Sequence, residues 1–198
     1  MSPILAGLGG LSVRGFGHFG PVRDVDTGAM FPLQVVTVGT TSVSNITFTN
    51  IPSTYTHLQL RTFLFGVNAT ATGSINVQFN SDTGSNYAFH LLNGNGSSPA
   101  AAYGIGSSGN GRFFGYGGGI RTLYATAGVV DIFDYANTNK YKTMRGLAGN
   151  DFNGSGEIQL SSSLWQNTNA ITSIKIYGSD QNFGQYSTIA LYGIKGAA

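Results

Sequence analysis

The stretch THLQLRTFLF, residues 56–65, decides the fold class. Leu58, Leu60 and Leu64 fall on one face of an extended strand, because successive side chains of a strand point to opposite sides. The polar residues between them fall on the other face. Apolar residues do not recur at the helical spacing of three and four. The stretch therefore predicts a half-buried strand.

The next stretch, SINVQFN at residues 74–80, alternates in the same way. Its three large apolar residues are predicted to point inward. Asn76 and Gln78, which stand between them, are predicted to point outward.

Strand signals of this kind recur about every 8–12 residues along the chain, the spacing typical of sandwiches and barrels. The predicted strands are residues 32–38, 45–50, 56–65, 74–80, 87–92, 112–116, 128–134, 141–147, 157–164, 170–177 and 187–194. No window keeps a helical period free of glycine or β-branched clusters. We predict an all-β chain of two antiparallel sheets. A jelly-roll-like sandwich is favoured over an immunoglobulin-like one because of the number of strands.

The composition is unusual for a globular domain, since charged residues make up only 9% of the 198 residues, against about 25% on average. Glycine is about twice as frequent as usual, at 30 residues, while aromatic residues stand at 12%. A polar but nearly uncharged surface lacks the charge that keeps monomers apart, so we expect neighbouring chains to cover it. The alternative is a low-charge β domain without such partners.

The first 30 residues differ from the rest and define a predicted N-terminal arm, with the sandwich at residues 31–198. Frequent glycine interrupts every period in the arm, and leucine and phenylalanine stand between the glycines. We expect the arm to dock on another subunit, because glycine permits close backbone approach; a segment folded against its own domain is the alternative. The predicted docking residues are Leu5, Leu8, Leu11, Phe16 and Phe19.

A second glycine-rich stretch, residues 93–119, is predicted to be a long loop too rich in glycine for regular strands, apart from the candidate strand at residues 112–116. Its aromatic residues favour a contact loop, and a plain linker is the alternative. Aromatic rings that stack on sugars, with amides that bond hydroxyls, make a glycan surface conceivable, although core packing explains most aromatics in a sandwich. The candidate contact residues are Tyr103, Phe114, Tyr116, Trp165 and Asn167, and Tyr177 is a further candidate for sugar binding.

Motifs associated with enzymes and cofactors are weak in this chain. Two G-x-G-x-x-G matches, at residues 15–20 and 104–109, lack a following helix whose N-terminus could bind phosphate. Two Asp-Thr-Gly triplets, at residues 26–28 and 82–84, lack matching flanks, and a turn is the better interpretation of the second. Cysteine is absent, and no G-x-S-x-G elbow occurs. We expect no catalytic residues, cofactor or metal.

The basic residues indicate neither nucleic acid nor membrane as a partner. The formal net charge is only +2 and the lysines and arginines are scattered. No apolar stretch reaches the roughly 18 residues that a membrane span needs. Residues 134–139 are predicted to form a polar turn between two strands, followed by a modest basic edge of Lys140, Lys142 and Arg145.

Several segments resemble small virion proteins of tailed bacteriophages. They are ITFTNIPSTYTHLQLR (residues 46–61), VQFNSDTGSNYAFHLL (77–92), VVDIFDYANTNKYKTMRGL (129–147) and IALYGIKG (189–196). The closing LYGIKG is similar to the last strand of β-sandwich domains at the ends of phage tail and fibre proteins. The resemblance implies a virion component, trimeric as such proteins often are, and it transfers no catalytic residues.

Three functions follow as expectations. The first is a tail fibre or receptor-binding component, docked on other virion proteins by its N-terminal arm and facing the host, with a surface glycan as a possible ligand. The second is a capsid decoration protein that clamps neighbouring capsomers. An enzyme such as a depolymerase is the least favoured.

Overall fold

The computed structural model of the chain describes residues 29–70, 73–96, 101–114 and 119–196, with the backbone alone at residues 101–105. Within these ranges the chain forms strands and turns but no helix, so no helix there could cross a membrane. Each predicted strand overlaps an observed one. The strands are β1 (Met30–Thr37), β2 (Asn45–Phe48), β3 (His57–Leu64), β4 (Ile75–Phe79), β5 (Tyr87–Gly94), β6 (Ala101–Ser108), β7 (Gly111–Phe114), β8 (Thr126–Phe133), β9 (Lys142–Asp151), β10 (Gly156–Trp165), β11 (Ile174–Gly178) and β12 (Thr188–Ile194).

The strands form two antiparallel sheets, one of eight strands in the order β1-β12-β3-β8-β9-β10-β5-β6 and one of four in the order β2-β11-β4-β7. The chain crosses repeatedly from one sheet to the other, as from β1 to β2 and from β3 to β4. When β5–β6 and β9–β10 are set aside, two four-stranded sheets remain, β1-β12-β3-β8 and β2-β11-β4-β7. This is the strand order of a jelly roll, so the predicted fold class is confirmed.

The two additional strand pairs extend the larger sheet. Strands β9 and β10 pair with each other over their whole length, and β10 also pairs with β5, which pairs with β6. The prediction of a long loop at residues 93–119 is therefore wrong, whereas the strand predicted within it at residues 112–116 overlaps β7. Strand β5 continues to Gly94, and β6 and β7 lie within the stretch. Backbone pairing with a neighbouring strand stabilises β6 despite its glycines, which give no side-chain signal.

The core lies between the inner faces of the two sheets. Leu58, Leu60 and Leu64 of β3 are fully buried, as the alternating pattern predicts. Val77 of β4 and Ile176 of β11 contribute to the same cluster from the smaller sheet. Burying each such side chain stabilises the fold by about 1.5–3 kcal/mol, so the sandwich rests on these inward residues.

The two sheets approach closely where β7 crosses the inner face of β9 and β10. The Ser163 hydroxyl accepts a hydrogen bond from the Arg112 backbone N–H at 3.0 Å and donates to its carbonyl at 2.9 Å. The Ser161 hydroxyl donates to the Phe113 carbonyl at 3.1 Å. A Cβ added at Gly146 would lie 2.7 Å from the Ser161 hydroxyl oxygen, so only glycine fits there. Small side chains on the larger sheet thus allow the smaller sheet to pack onto it.

Strand β4 is buried on both of its faces, which corrects the predicted exposure of Asn76 and Gln78. Their orientation away from the core is right, but they are only 4% and 8% exposed. Asn76 stands in register between Tyr177 and Arg112, whose longer side chains flank it. The Gln78 amide donates to the carbonyl of Gly109 at 2.9 Å. These polar side chains are therefore buried by their neighbours on the same face.

Candidate functional site

Most of the predicted docking and contact residues of the glycine-rich segments lie outside the described side chains. This holds for Tyr116, and for Tyr103, which stands on the backbone-only part of β6. It also holds for the arm residues Leu5, Leu8, Leu11, Phe16 and Phe19. Strand β1 begins at Met30, beside the predicted boundary between arm and sandwich. The roles of these residues stay predictions.

Phe114 and Trp165 belong to the core, which corrects their assignment to a contact surface. Phe114 is fully buried and Trp165 is 1% exposed. The Trp165 ring stacks on Tyr87 with centroids 6.3 Å apart, and its Nε1–H donates to Asp82 Oδ2 at 2.7 Å. Asn167 is half-buried, and its Oδ1 accepts the backbone N–H of Asn169 at 2.9 Å, which caps a turn. The described candidates therefore do not form one binding surface.

The second Asp-Thr-Gly triplet is a turn, as predicted. Asp82 Oδ1 accepts the backbone N–H of Gly84 at 2.9 Å, and both of its carboxylate oxygens accept from the Asn86 amide. Partial burial by itself raises the pKa of this carboxyl. The hydrogen bonds from Trp165, Asn86 and Gly84 outweigh that effect and lower the pKa of Asp82 below its usual value. The carboxylate has a structural role, because it fixes the turn that joins the two sheets at β4 and β5.

Lys142 is a buried cation, and the predicted basic edge is wrong in this respect. Strand β9 lies between β8 and β10 and is not an edge, and the Lys142 side chain is 1% exposed. Its ammonium donates to the carbonyls of Asn137, Lys140 and Thr168 at 2.6, 2.9 and 2.9 Å. Burial and the nearby Lys140 charge lower its pKa. The cation joins the predicted polar turn after β8 to the loop after β10.

At the surface beside this turn, Asp134 contacts both His57 and Lys140. His57 Nδ1 accepts the backbone N–H of Asp134 at 2.9 Å. The hydrogen bond from Lys140 is the main cause that lowers the pKa of the Asp134 carboxyl. Among the described residues, no three His, Asp or Glu side chains are grouped to hold a metal ion.

The outer face of the eight-stranded sheet carries a mainly aliphatic row, which Arg61 of β3 interrupts. The row runs in register through seven neighbouring strands and contains Val35, Ala190, Arg61, Val129, Leu147, Leu160 and Leu92. Apart from Ala190, the aliphatic members are 38–59% exposed. At about 4.8 Å per strand, the row is about 29 Å long. We call this surface the apolar face.

A shallow apolar groove deepens this face beside the row. Gly149 stands in register between Ala127 and Ile158 in the neighbouring row, so no side chain fills the space between Val129, Leu147 and Ile158. Ile158 is 59% exposed. Contiguous exposed apolar surface of this kind typically marks an interaction site.

The outer face of the four-stranded sheet is polar. One row contains Asn45, Tyr177, Asn76 and Arg112, and the next contains Thr47, Lys175 and Gln78. Lys175 Nζ lies 5.2 Å from the centroid of the half-buried Tyr177 ring. An open groove adjoins this ring, between β11 and the loop that follows it. We call this surface the polar face.

Sequence reasoning did not identify either face as a surface. The residues of the apolar row were visible as strand residues, but they become neighbours only through the pairing register of strands far apart in the chain. Tyr177 is one of the sugar-binding candidates, but its place on an outer face was not predicted. The alternation of residues 174–178 around buried Ile174 and Ile176 is the signal that could have placed it on an outer face.

Comparison with protein-family models, with curated proteins and with solved structures finds no match to this chain.

Proposed function

We propose that the chain is a non-enzymatic structural protein of a tailed-phage particle, in which copies of the chain associate through the apolar face. The tail fibre or receptor-binding role is preferred, with a capsid decoration protein as the alternative. The sequence segments that resemble phage virion proteins support the class of protein. The jelly-roll strand order is compatible with it, since viral capsid proteins are among those built on this fold.

The observation that carries the proposal is the exposed aliphatic row across the larger sheet. Covering the exposed half of each of these side chains contributes about 1 kcal/mol per residue. Strands of eight residues are about 27 Å long, so the whole outer face of the larger sheet measures about 29 by 27 Å, or about 800 Å². This area includes a polar row beside the aliphatic one, formed by Gln59, Asp131, Arg145, Ser162 and His90. A standard stable interface buries about 800 Å² per partner. The face is therefore large enough for a second copy of the chain, and the resemblance favours a trimer.

The interface is tested by sedimentation velocity of the full chain and of the double variant Leu147→Asp, Leu160→Asp. We expect the wild type to be oligomeric at micromolar concentration and the variant to dissociate at least a hundredfold more easily, because two carboxylates would be buried unpaired. Both side chains are about half exposed, so the monomer remains folded. The matched control, Thr47→Asp with Thr49→Asp, adds the same charge to exposed positions of the smaller sheet and leaves association unchanged.

A monomeric wild type, or a double variant that associates as the wild type does, contradicts the interface.

The particle assignment is tested by immunogold labelling of phage particles produced in the organism that carries the gene. Label at the tail supports the fibre role, whereas label over the capsid in many copies supports the decoration role. Deleting residues 1–28 is expected to prevent incorporation while the sandwich stays folded. Particles without label contradict the proposal.

A further inference from the structure

The groove on the polar face has the side chains of a sugar-binding site. It lies beside the Tyr177 ring and is lined by Asn45, Lys175, Asp180 and Asn182 among others. Its volume of about 370 Å³ is within the range of roughly 300–1,000 Å³ found for small-ligand sites. An aromatic ring with amide and charged groups around it offers one apolar surface and several hydrogen-bonding groups.

Tyr177 provides the apolar surface. Its ring stands on the outer face of β11, because Ile174 and Ile176, which alternate with Lys175 and Tyr177 along the strand, are fully buried in the core. The ring is half-buried, with Asn76 in register beside it and the Lys175 ammonium 5.2 Å from its centroid, and it adjoins an open groove. The C–H face of a pyranose ring is apolar and can cover such an aromatic ring.

The wall of the groove is held in place by contacts to three other loops. Gln181 is 9% exposed, and its Oε1 accepts the backbone N–H groups of Val67 and Asn68 at 2.9 and 3.0 Å. Its Nε2 donates to the carbonyl of Ile120. Ser179 bonds to Ser74 through both its backbone N–H and its hydroxyl, each at 2.9 Å. A groove held in this way loses little conformational freedom when a ligand binds.

The charge of the groove indicates what kind of sugar it can bind. The lining of the groove contains one cationic residue, Lys175, and one carboxylate, Asp180, so its net charge is zero. The ammonium donates hydrogen bonds, the carboxylate accepts them, and the amides of Asn45 and Asn182 do both. The Asn45 amide already bonds to Ser44 and Thr47, and the Asn182 amide to Ser42, so each amide offers a ligand its remaining hydrogen-bonding capacity. We propose that the groove binds a neutral hexose oligosaccharide, with one pyranose on the Tyr177 ring. As the host-facing contact of a virion protein, this site rests on the proposed function.

A second groove, at the end of β5, β9 and β10, lacks these features. It is lined mainly by glycines and polar side chains and contains no aromatic residue. Its carboxylate Glu157 already accepts hydrogen bonds from Asn93 and Gln159, at 2.5 and 2.6 Å. The groove beside Tyr177 is therefore the better candidate.

The proposal is tested by calorimetric titration of the full chain with maltotetraose, cellotetraose and mannotetraose. We expect at least one of them to bind with a millimolar or lower Kd. Tyr177→Ala is expected to weaken binding at least tenfold, and Tyr177→Phe, which keeps the ring, to stay within about threefold of the wild type. The matched control is Tyr141→Ala, which removes a 53% exposed tyrosine after β8 and leaves binding unchanged.

Several outcomes overturn the proposal: no binding of any of the three sugars, equal binding by Tyr177→Ala, or binding of tetragalacturonate alone. If Tyr177→Ala does not fold, Asn45→Ala provides the test, with an expected loss of at least threefold. Sedimentation of Tyr177→Ala should match that of the wild type. Loss of sugar binding with intact association thus separates this site from the subunit interface.

Discussion

The two outer faces of this sandwich differ in chemistry although both are built from alternating strands. On the larger sheet, Leu147 and Leu160 stand side by side and are about half exposed. On the smaller sheet, Asn76 and Gln78 occupy the corresponding outward positions and are nearly buried by longer polar neighbours. The apolar face can lower its free energy only when another surface covers it. On the polar face the Gln78 amide already donates to the Gly109 carbonyl, and an aromatic ring lies beside an open groove.

A chain with few charged residues can therefore have two outer surfaces that differ in polarity. The low charge that made association an expectation applies to both faces, but only the face of the larger sheet carries an exposed aliphatic row. We infer that protein contacts belong to the apolar face and ligand contacts to the polar face. Both faces depend on the same core, so the largest effects are expected from substitutions that remove this shared support.

Trp165→Ala is expected to have the largest effect on stability. The change leaves a cavity beside Tyr87 and Phe79 and removes a hydrogen bond to Asp82, so the free energy of unfolding should fall by about 3–5 kcal/mol. Tyr177→Ala, on the polar face, should cost less than about 1 kcal/mol. Urea unfolding of both variants measures the difference. Equal losses would contradict the distinction between a core ring and a surface ring.

Lys142→Met is expected to have the next largest effect and to lower the free energy of unfolding by about 3 kcal/mol. The methionine side chain fills a similar volume but leaves three loop carbonyls without their charged donor. The matched control is Lys140→Met, which removes a 54% exposed ammonium paired with Asp134 and should cost under about 1 kcal/mol. Both are measured by urea unfolding of the otherwise intact chain. A Lys142→Met variant as stable as the control would show that the buried ammonium is dispensable.

Gln78→Ala tests whether outward side chains contribute more to stability on the polar face than on the outer face of the larger sheet. The change removes a partly buried hydrogen bond to Gly109 and should lower stability by about 1–2 kcal/mol. Ser162→Ala, at an exposed outward position of β10, should be neutral within about 0.5 kcal/mol. Thermal unfolding of the two variants provides the comparison. A neutral Gln78→Ala would mean that the polar face is not packed as described.

The strands and their inward residues could be predicted from the sequence because alternation is a local signal. Leu58, Leu60 and Leu64 reveal their face within seven residues of chain. Strand β6 was missed because glycine has no side chain to alternate, and its stability comes from pairing with β5. The burial of Lys142 depends on strands that flank β9 on both sides, which no local pattern shows.

The candidate surfaces could be predicted only in part. Frequent aromatic and amide residues suggested contacts, and Tyr177, Trp165 and Phe114 were all candidates. Tyr177 adjoins a groove, whereas the other two rings are buried in the core. The difference depends on which face of which sheet each ring occupies. The apolar face depends on the register of six strand pairings, and an error of one residue in any of them would move a side chain to the core. No single segment of the sequence specifies the pairing register between strands that lie far apart in the chain.

The smallest expected effect concerns pH and the turn that joins the two sheets. Because hydrogen bonds from Trp165, Asn86 and Gly84 lower the pKa of Asp82 in the folded chain, its carboxylate stabilises the fold above the unfolded pKa of about 4. That contribution is lost as the pH falls through the lower pKa of the folded state. Stability measured by urea unfolding between pH 6 and pH 2.5 should therefore decrease toward acid. In Asp82→Asn the decrease should be smaller, because the amide oxygen accepts the indole hydrogen bond at every pH.

The matched control is Asp131→Asn, whose wild-type carboxylate accepts a hydrogen bond from Gln59 on the outer face of β8. Asp131→Asn should retain the acid dependence that Asp82→Asn reduces, because it leaves the turn at Asp82 unchanged. That turn supports both sheets, since it joins β4 of the smaller sheet to β5 of the larger one. If both variants lose stability toward acid as the wild type does, Asp82 is not the group that couples the two sheets to pH.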